Sequence, residues 1–407
     1  MAEEEVVYSG VIEGDRYPDN YTLLKILNAE KALHHLPVTI YLTILIVLGL
    51  IGNSVALYIY YAKFKKTPSN YFVIWLAILD LLSCLLAMPF DIIDLTRPYL
   101  FNSPASCKTM RFIQSATLLT PAMTIIVIAI DRHDKVFRPF KRMSNKKAKI
   151  INVITLGVAI ILALPAIFVF GRNTVPTRVK DLTGFTCSVD DSAKGKVYPY
   201  VYYAVLFLVF IVTVILLAIF YCRLWREIRK RGGGRKTRSP RATSSKEPEG
   251  ESHELEETST SMAPRSSKKQ YFKNAKLPDT KENTKSADVS KVSVDTDLGS
   301  FSHNRHSVKV YGAAGKTTKI VFVVSLAFVI SFLPYLIAKI VQVTVADVEE
   351  FATVGVEVVY NIATRSFFIN NAINPFIYIY LNPAFRKETH RLFRALCCRL
   401  CKSNSDC

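Results

Sequence analysis

Seven long apolar runs constrain the fold of this chain more than any other feature of its sequence. Phe112–Ile130, for example, carries no charged residue, and at about 1.5 Å of rise per residue it would form a helix of about 28 Å, roughly one bilayer core. Such runs are too long and unbroken for a soluble protein of 407 residues, which would show alternating patterns. We therefore predict an all-α membrane protein, a seven-transmembrane helix bundle. Its spans are Pro37–Ala62, Tyr71–Phe90, Phe112–Ile130, Ile150–Gly171, Val197–Cys222, Ile320–Ala338 and Phe351–Leu381.

The distribution of positive charge predicts the orientation of the bundle. If the amino terminus lies outside, most of the 52 Lys and Arg fall on the cytoplasmic side, whereas the third outer loop, Gln342–Glu350, has none. No apolar run precedes residue 37, so we expect the first span to act as its own insertion signal. The predicted regions are an extracellular tail (1–36), spans one to five with their loops (37–226), a third intracellular loop (227–314), spans six and seven (315–381), and a short amphipathic eighth helix with the cytoplasmic tail (382–407).

The net charge of +19 raises the alternative of nucleic-acid binding. Because the excess follows the positive-inside pattern, the basic run at 229–241 is better explained by orientation and by contact with membrane lipid. We therefore expect no nucleic-acid partner. The third intracellular loop is rich in Gly, Ser and Thr and poor in large apolar residues, a composition that predicts disorder. Its Ser and Thr beside basic residues are candidate kinase targets.

Of the eight cysteines, only Cys107 and Cys187 face the outside in this topology. Two thiols in an oxidising space predict a disulfide that ties the second outer loop to the top of the third span, with two free thiols as the alternative. Asn20 begins a glycosylation sequon in the outer tail. Cys397 and Cys398, just beyond the amphipathic segment, are candidate palmitoylation sites.

The spans carry a set of short motifs that are weak singly and specific together. They are Gly52-Asn53 in the first span, Leu76–Asp80 in the second, Cys107 and Asp131-Arg132-His133 at the two ends of the third, Cys187 in the second outer loop, Phe328 and Pro334 in the sixth, and Asn374–Tyr378 in the seventh. The set resembles a rhodopsin-like (class A) G-protein-coupled receptor, a divergent one of the peptide-receptor type. The resemblance covers everything except the outer tail and the long intracellular loop.

The resemblance implies a signalling role for residues toward the inner ends of the spans. In that family the Arg corresponding to Arg132 is freed on activation and contacts the G protein. The alternative, which a lone Asp-Arg pair would favour, is an anchor at the membrane interface. Pro334 would kink the sixth helix so that its inner end swings outward. His133 and Phe332 replace the Tyr and Trp that are common in the family. The residues assigned to G-protein activation are Asp131, Arg132, His133, Tyr221, Phe328, Phe332, Pro334, Asn374, Pro375 and Tyr378.

A buried polar cluster is expected between the first, second and seventh helices. It would consist of Asn53, Asp80, Asn370 and Asn374, and in the resembled family it can hold a sodium ion. Pro121 replaces the usual Ser on the third helix, so hydrogen bonding without an ion is the alternative. We expect no other cofactor and no other metal, since none of the seven histidines lies within a span.

The outer ends of the helices indicate the class of ligand. Gln114 lies where amine receptors of this family carry an Asp, and Phe368 lies where opsins carry the retinal Lys, which argues against both ligands. Charges of both signs around a wide mouth favour a peptide, with a small non-amine metabolite or lipid as the alternative. For each charged residue the alternative to ligand binding is a solvated position on the rim of the bundle. The candidate ligand-binding residues are Gln114, Arg111, Asp91, Asp94, Lys339, Glu357 and Arg365.

An enzyme and a transporter are the rival classes. A hydrolase in the membrane would need metal ligands or a nucleophile with its base, and a transporter would show repeated halves and charges near the midplane. The sequence shows neither pattern. We therefore predict a plasma-membrane receptor, not an enzyme, that binds an extracellular neuropeptide and activates a heterotrimeric G protein, with arrestin and kinases as further partners.

Overall fold

The computed structural model describes residues 19–138, 143–233, 298–344 and 353–403. The chain forms two compact units: Met1–Gly232 with Ser307–Cys407, and Gly233–His306, of which only the two ends are described. Helices extend into the predicted third intracellular loop from both sides, up to Gly233 and from Leu298. Disorder stays a prediction for residues 234–297, which lie outside the described residues.

Six helical segments among the described residues are long and apolar enough to cross a membrane. They coincide with the first six apolar runs, because a helix satisfies its backbone groups internally and so tolerates hydrocarbon. The spans are Leu36–Lys63, Pro68–Thr96, Pro104–Phe137, Asn145–Val169, Val197–Glu227 and Thr317–Val341. After the outer helix α1 (Asn20–His34), the helices that build them are α2 (Leu36–Tyr58), α3 (Pro68–Leu82), α4 (Met88–Thr96), α5 (Pro104–Phe137), α6 (Asn145–Ala163), α7 (Ala166–Val169), α8 (Val197–Gly233) and α9 (Leu298–Thr344).

The seventh apolar run, which the sequence predicts as one span, is built from two helices. It consists of α10 (Val354–Ala363) and α11 (Ile369–Leu381), separated by a short break that includes a 3₁₀ turn at Ser366–Phe368. Ser366 in this turn donates a 2.7 Å hydrogen bond to the carbonyl of Ser331 on the sixth span. A break at membrane depth is tolerated where it packs against protein, and all three residues of the turn are buried. The two helices together make the seventh span.

The second span changes its helical pitch in the middle. Between α3 and α4, Ser83–Ala87 forms a π turn. It comes just before Pro89, which has no backbone N–H to donate into an α-helical ladder. One extra residue in a turn rotates the helix that follows by about 100°. With this rotation, Asp91 and Asp94 of α4 lie inside the bundle, where they are 1% and 7% exposed.

Helix α1 lies over the outer end of the first unit and is not predicted by the sequence analysis, which treated residues 1–36 as a tail. Asn28 of α1 donates to the carbonyl of Thr96 at 3.1 Å and accepts from the backbone N–H of Tyr99 at 3.1 Å. Glu30 of α1 pairs with Arg178 of the second outer loop. The helix is thus tied to both the second span and the second outer loop.

The second outer loop folds as an antiparallel hairpin of β1 (Phe170–Pro176) and β2 (Thr183–Val189). The backbone of Phe185 in β2 also pairs with the segment after α4, through hydrogen bonds with Tyr99 and Phe101 of 2.8 and 2.9 Å. At the other end of the bundle, α12 (Pro383–Ser403) forms the predicted eighth helix. Its Phe385 is fully buried, whereas Phe393 and Leu396 are exposed, as an interfacial helix requires.

Candidate functional site

A buried network of charged side chains lies at the end of the bundle that the sequence predicts to face outside, called the outer end here. Arg111 Nη1 lies 2.9 Å from Asp91 Oδ1, and Arg111 Nη2 lies 2.6 Å from Asp94 Oδ2. The Gln114 carbonyl accepts from Arg111 at 2.8 Å, and its amide donates to Asp91 at 3.0 Å. Arg365 Nε lies 3.8 Å from Asp91 Oδ2. These five residues, all candidates for ligand binding, form what we call the outer charge network.

Local sequence explains why these groups meet. Asp91 and Asp94 are three residues apart on α4, so they share one face of the helix. Arg111 follows Cys107 by about one turn on α5. The disulfide between Cys107 and Cys187, with a Cα–Cα distance of 5.5 Å, confirms the predicted bond. It brings β2 against the network, since Arg111 Nη2 donates to the Cys187 carbonyl at 3.3 Å.

The outer charge network is buried and paired. The exposed fractions of the side chains are 1% for Asp91, 7% for Asp94, 15% for Arg111 and 11% for Arg365. The alternative of solvated rim charges is therefore wrong for these four residues. Two carboxylates face two guanidinium groups, which balances the formal charge and offsets the cost of desolvation. Asp94 Oδ1, Arg111 Nε and Arg365 Nε have no hydrogen-bond partner among the described residues, so each retains capacity for a polar group.

Glu357 lies outside this network and contacts α1 and the residue that follows it. Its Oε1 lies 3.0 Å from His35 Nε2 and 3.5 Å from Lys31 Nζ of α1. The other ring nitrogen of His35, Nδ1, lies 3.1 Å from the carbonyl of Leu95. Both ring nitrogens of His35 therefore face oxygen acceptors, a carboxylate and a backbone carbonyl. His35 thus connects the first, second and seventh spans.

Lys339, the remaining candidate for ligand binding, lies in aromatic surroundings. Its Nζ is 5.8 Å from the centroid of the Tyr203 ring, within range of a cation–π contact. Tyr203 neighbours Tyr202, whose hydroxyl is 2.7 Å from Ser115 Oγ on the third span. The structure therefore places the Lys339 ammonium of the sixth span beside the Tyr203 ring of the fifth.

Phe332 is the centre of an aromatic cluster in the fifth, sixth and seventh spans. Its ring stacks on Phe210 at a centroid distance of 5.4 Å and lies 5.2 Å from Phe328. Phe367, in the break of the seventh span, is 6.3 Å away. Pro334 follows two residues later inside α9. A shift of the sixth helix about this proline would therefore have to repack the cluster.

Hydrogen bonds hold the predicted polar cluster at two places. Asn374 Nδ2 donates to Asp80 Oδ2 at 2.9 Å, while Asn53 Nδ2 donates to the backbone carbonyl of Asn371 at 2.6 Å. Asn370 is also buried. Among the described residues, Oδ1 of Asn53, Asp80, Asn370 and Asn374 has no hydrogen-bond partner. One carboxylate and three amide oxygens are a donor set that suits a hard cation, so these residues fit a sodium ion.

Asp131 and Arg132 form an ion pair at the inner end of the third span. Arg132 Nη2 lies 3.2 Å from Asp131 Oδ2, and the arginine is 6% exposed. The same carboxylate oxygen accepts from Lys135 at 2.7 Å and from Ser69 Oγ at 3.1 Å. Arg132 is thus held inside the bundle by an anion with three partners, unlike an anchor that reaches into the interface.

Two other residues assigned to activation lie next to this pair. His133 stacks on Phe137 at a centroid distance of 4.3 Å and contacts Phe220 of the fifth span at 5.6 Å. The Tyr221 hydroxyl lies 2.9 Å from Ser325 Oγ, which joins the fifth span to the sixth. The inner ends of the third, fifth and sixth spans are therefore connected through side chains, and movement of the sixth would break the Tyr221–Ser325 hydrogen bond.

The comparison with known proteins identifies the family. The model of the 7 transmembrane receptor (rhodopsin family) matches residues 52–378, most of the chain. The chain belongs to this receptor family. It is therefore a multi-pass membrane protein of a family of receptors rather than enzymes. The fold agrees, since the matched range contains the described spans from the middle of the first to near the end of the seventh.

Individual relatives are receptors named for peptides. The chain is 28% identical to the neuropeptide S receptor of Homo sapiens, over 42% of this chain and 44% of that receptor. It is 26% identical to neuromedin-U receptor 2 of Mus musculus, over 46% and 48% of the two chains. It is 26% identical to neuropeptide Y receptor type 2 of Mus musculus, over 46% and 49%. The chain spans less than half the length of these curated relatives in each match.

The inner end of the seventh span packs closely in this receptor. Tyr378 is buried, with ring centroids 5.7 Å from Tyr60 and 5.9 Å from Phe385 of α12. Pro375 lies against Gly52 of the first span, where an added Cβ would come within 2.9 Å of the proline ring. Glycine at this position therefore permits the approach of the two helices.

The candidate modification sites of the receptor lie at exposed positions. Asn20 is the first residue of α1, whose preceding residue, Asp19, accepts a 3.1 Å hydrogen bond from the backbone N–H of Thr22. Cys397 and Cys398 are exposed on α12. Glycosylation and palmitoylation stay predictions at these sites.

Sequence reasoning missed several partners of the receptor's site residues. His35 lies at the boundary between tail and span, and Ser69 lies at the start of the second span, where neither has a recognisable pattern. Asn371 contributes a backbone carbonyl, which no side-chain motif can reveal. The only available signal was the sequence Asn370-Asn371, an unusual polar pair within an apolar run.

Proposed function

We propose that this receptor lies in the plasma membrane with its amino terminus outside, binds an extracellular peptide and activates a heterotrimeric G protein. The orientation is supported by the excess of basic residues on the opposite side and by the disulfide at the outer end. Arrestin and receptor kinases are further proposed partners, because the third intracellular loop is long and rich in Ser and Thr.

One observation carries the proposal: a single helix, α5, contributes to both ion-pair networks. Arg111 belongs to the outer charge network, and Arg132 belongs to the ion pair with Asp131 at the inner end. The two residues are separated on α5 by roughly 30 Å, at about 1.5 Å per residue. A ligand that repacks the outer network acts on the same helix that presents Arg132 to the cytoplasm.

The chemistry of the outer network favours a peptide. It offers carboxylate, guanidinium and amide groups within a few ångströms of each other, which can meet the charged termini, side chains and backbone amides of a peptide. The peptide names of three related receptors support the same class. A lipid or a small apolar metabolite would leave these buried charges without new partners.

We infer a population shift as the mechanism. In the structure, Arg132 is paired with Asp131, and Tyr221 contacts Ser325 of the sixth span. A peptide that binds the outer network better in a second state would favour outward movement of the sixth helix about Pro334, which frees Arg132 for the G protein. We propose the polar cluster around Asp80 as the place where a sodium ion would bind, because its side-chain oxygens have no other partner among the described residues.

The test is a G-protein activation assay in cells that express the full chain, challenged with pooled neuropeptides. A saturable response would establish the receptor and its ligand class together. A response to lipids or small metabolites in the absence of any peptide response would contradict the peptide assignment. Surface labelling of the outer tail establishes that the receptor is present and that its amino terminus lies outside.

Replacement of Arg132 by Ala tests the inner end. We expect loss of nucleotide exchange with peptide binding and surface expression retained, because Arg132 lies roughly 30 Å from the outer network. Lys135→Ala, which removes a partner of Asp131 but leaves Arg132 in place, is the matched control. Signalling that survives Arg132→Ala would contradict the assigned role.

A further inference from the structure

A basic cavity of about 940 Å³ opens at the inner ends of the third and fifth spans. It is lined by Arg138, which follows α5, and by Arg223, Arg226, Arg229 and Lys230 of α8, with Glu227 as the one acidic residue in the lining. Of these residues, only Arg229 and Lys230 belong to the basic run that the sequence predicts to contact membrane lipid. We propose that this cavity binds the headgroup of a polyphosphorylated membrane lipid, a phosphoinositide.

The charge of the lining calls for a polyanion. Five basic side chains face one carboxylate, a formal excess of four positive charges, and all five are exposed. Their spacing along α8, at residues 223, 226, 229 and 230, places them about one turn apart, where like charges repel. A ligand with a single negative charge would neutralise one of them. A headgroup with two or more phosphates would neutralise most, and arginine matches phosphate oxygens with a bidentate fork.

Aromatic neighbours place the cavity at the level of the lipid headgroups. Trp225 is 54% exposed, and the Arg229 guanidinium lies 5.0 Å from its ring centroid. Exposed Trp is typical of the membrane–water interface. Phe137 contributes an apolar wall to the cavity. A soluble polyanion would gain nothing from these surfaces, whereas a lipid can place its headgroup on the arginines and its glycerol and upper chains beside the rings.

The position of the cavity connects it to signalling. His133, which also lines it, follows Arg132 directly and stacks on Phe137. A phosphoinositide that bridges Arg138 and α8 would hold the inner ends of the third and fifth spans together beside the Asp131–Arg132 pair. Binding of the lipid does not depend on the proposed peptide ligand, so the two proposals can fail separately.

The experiment uses the purified full-length receptor in phosphatidylcholine nanodiscs. Binding of phosphatidylinositol bisphosphate is titrated by native mass spectrometry and compared with phosphatidylserine, which carries one net negative charge. The wild-type receptor should retain the bisphosphate lipid preferentially. The triple variant Arg223→Gln/Arg226→Gln/Arg229→Gln should bind it more weakly by on the order of 100-fold, since each basic residue near the membrane surface contributes roughly fivefold.

The matched control removes three exposed lysines from the same membrane side, Lys146→Gln, Lys147→Gln and Lys149→Gln of α6. These changes should leave the affinity within about twofold, because they lie outside the cavity lining. An equal loss in both variants, or equal retention of phosphatidylserine, would overturn the proposal as mere attraction to surface charge. Equally tight binding of free inositol trisphosphate would overturn the assignment to a lipid.

A second triple variant keeps the proposal testable if the glutamine variant does not fold. Arg223→Lys/Arg226→Lys/Arg229→Lys keeps the charge and removes the planar fork. It should bind the bisphosphate lipid more weakly than wild type but more tightly than the glutamine set. Wild-type affinity in the lysine set would overturn the assignment of bidentate phosphate contacts.

Discussion

Replacement of Arg111 by Gln should be one of the most destabilising single polar changes in the described part of the receptor. Arg111 pairs with Asp91 at 2.9 Å and with Asp94 at 2.6 Å, and it also donates to the Cys187 carbonyl. Without it, Asp94 loses its ion-pair partner, and Asp91 keeps Arg365 Nε at 3.8 Å and the hydrogen bond from the Gln114 amide at 3.0 Å. Removal of one member of a buried ion pair costs about 3–5 kcal/mol, because the remaining charge is left desolvated.

The second outer loop offers a matched control. Arg178 also pairs with a carboxylate, Glu30, but their side chains are 54% and 40% exposed. Replacement of Arg178 by Gln should therefore cost less than about 1 kcal/mol. The two variants lose the same charge and the same type of side chain, so the difference between them measures the effect of burial.

The assay can use a cysteine already present. Cys84 of the second span is 1% exposed, so its reaction with a thiol probe on heating in detergent reports opening of the bundle. The other free cysteines of the described residues, Cys222, Cys397 and Cys398, are exposed and are replaced by Ser beforehand. Cys401 and Cys407, outside the described side chains, are replaced as well.

The double variant Arg111→Gln/Asp94→Asn separates the electrostatic cause from other effects. It removes the buried carboxylate that the single variant leaves without its partner, so part of the lost stability should return. The reasoning would be refuted if Arg111→Gln and Arg178→Gln lowered the unfolding temperature equally. It would also be refuted if the added Asp94→Asn change destabilised Arg111→Gln further.

Three further predictions concern other parts of the molecule. His35→Phe should destabilise the outer end by about 1–3 kcal/mol, since it removes both ring nitrogens from their acceptors, Glu357 and the Leu95 carbonyl. An unchanged temperature for the labelling of Cys84 would contradict this. Tyr221→Phe removes only the hydrogen bond to Ser325, which stabilises the observed arrangement of the fifth and sixth spans by about 1 kcal/mol. Basal nucleotide exchange should therefore rise severalfold, and unchanged exchange would contradict this. Burial alone would raise the pKa of Asp191, but hydrogen bonds to its charged form lower it from 3.8 to about 2. Its contribution to the outer loop should therefore be present above pH 3.8 and lost only as the pH falls through about 2, and an NMR titration midpoint near 3.8 would refute this.

The candidate ligand residues show where sequence reasoning reached its limit. Their depth near the outer ends of the spans and the presence of both signs could be read from position and residue type. Whether Asp91 meets Arg111 or the solvent could not, because the π turn before α4 sets the direction in which Asp91 points. Glu357 was grouped with these residues, yet it faces His35 and α1.

By itself, the sequence determined the seven-helix class, the positions of the first six spans and the disulfide. These follow from local hydropathy, from the count of basic residues in each loop and from the few cysteines left outside, all of which act without knowledge of neighbours. Only the tertiary structure decided the break between α10 and α11, the docking of α1 and the pairing within the outer charge network. Each of these depends on contacts between residues far apart in the chain, where the rotation of one helix decides which buried charge or backbone carbonyl finds a partner.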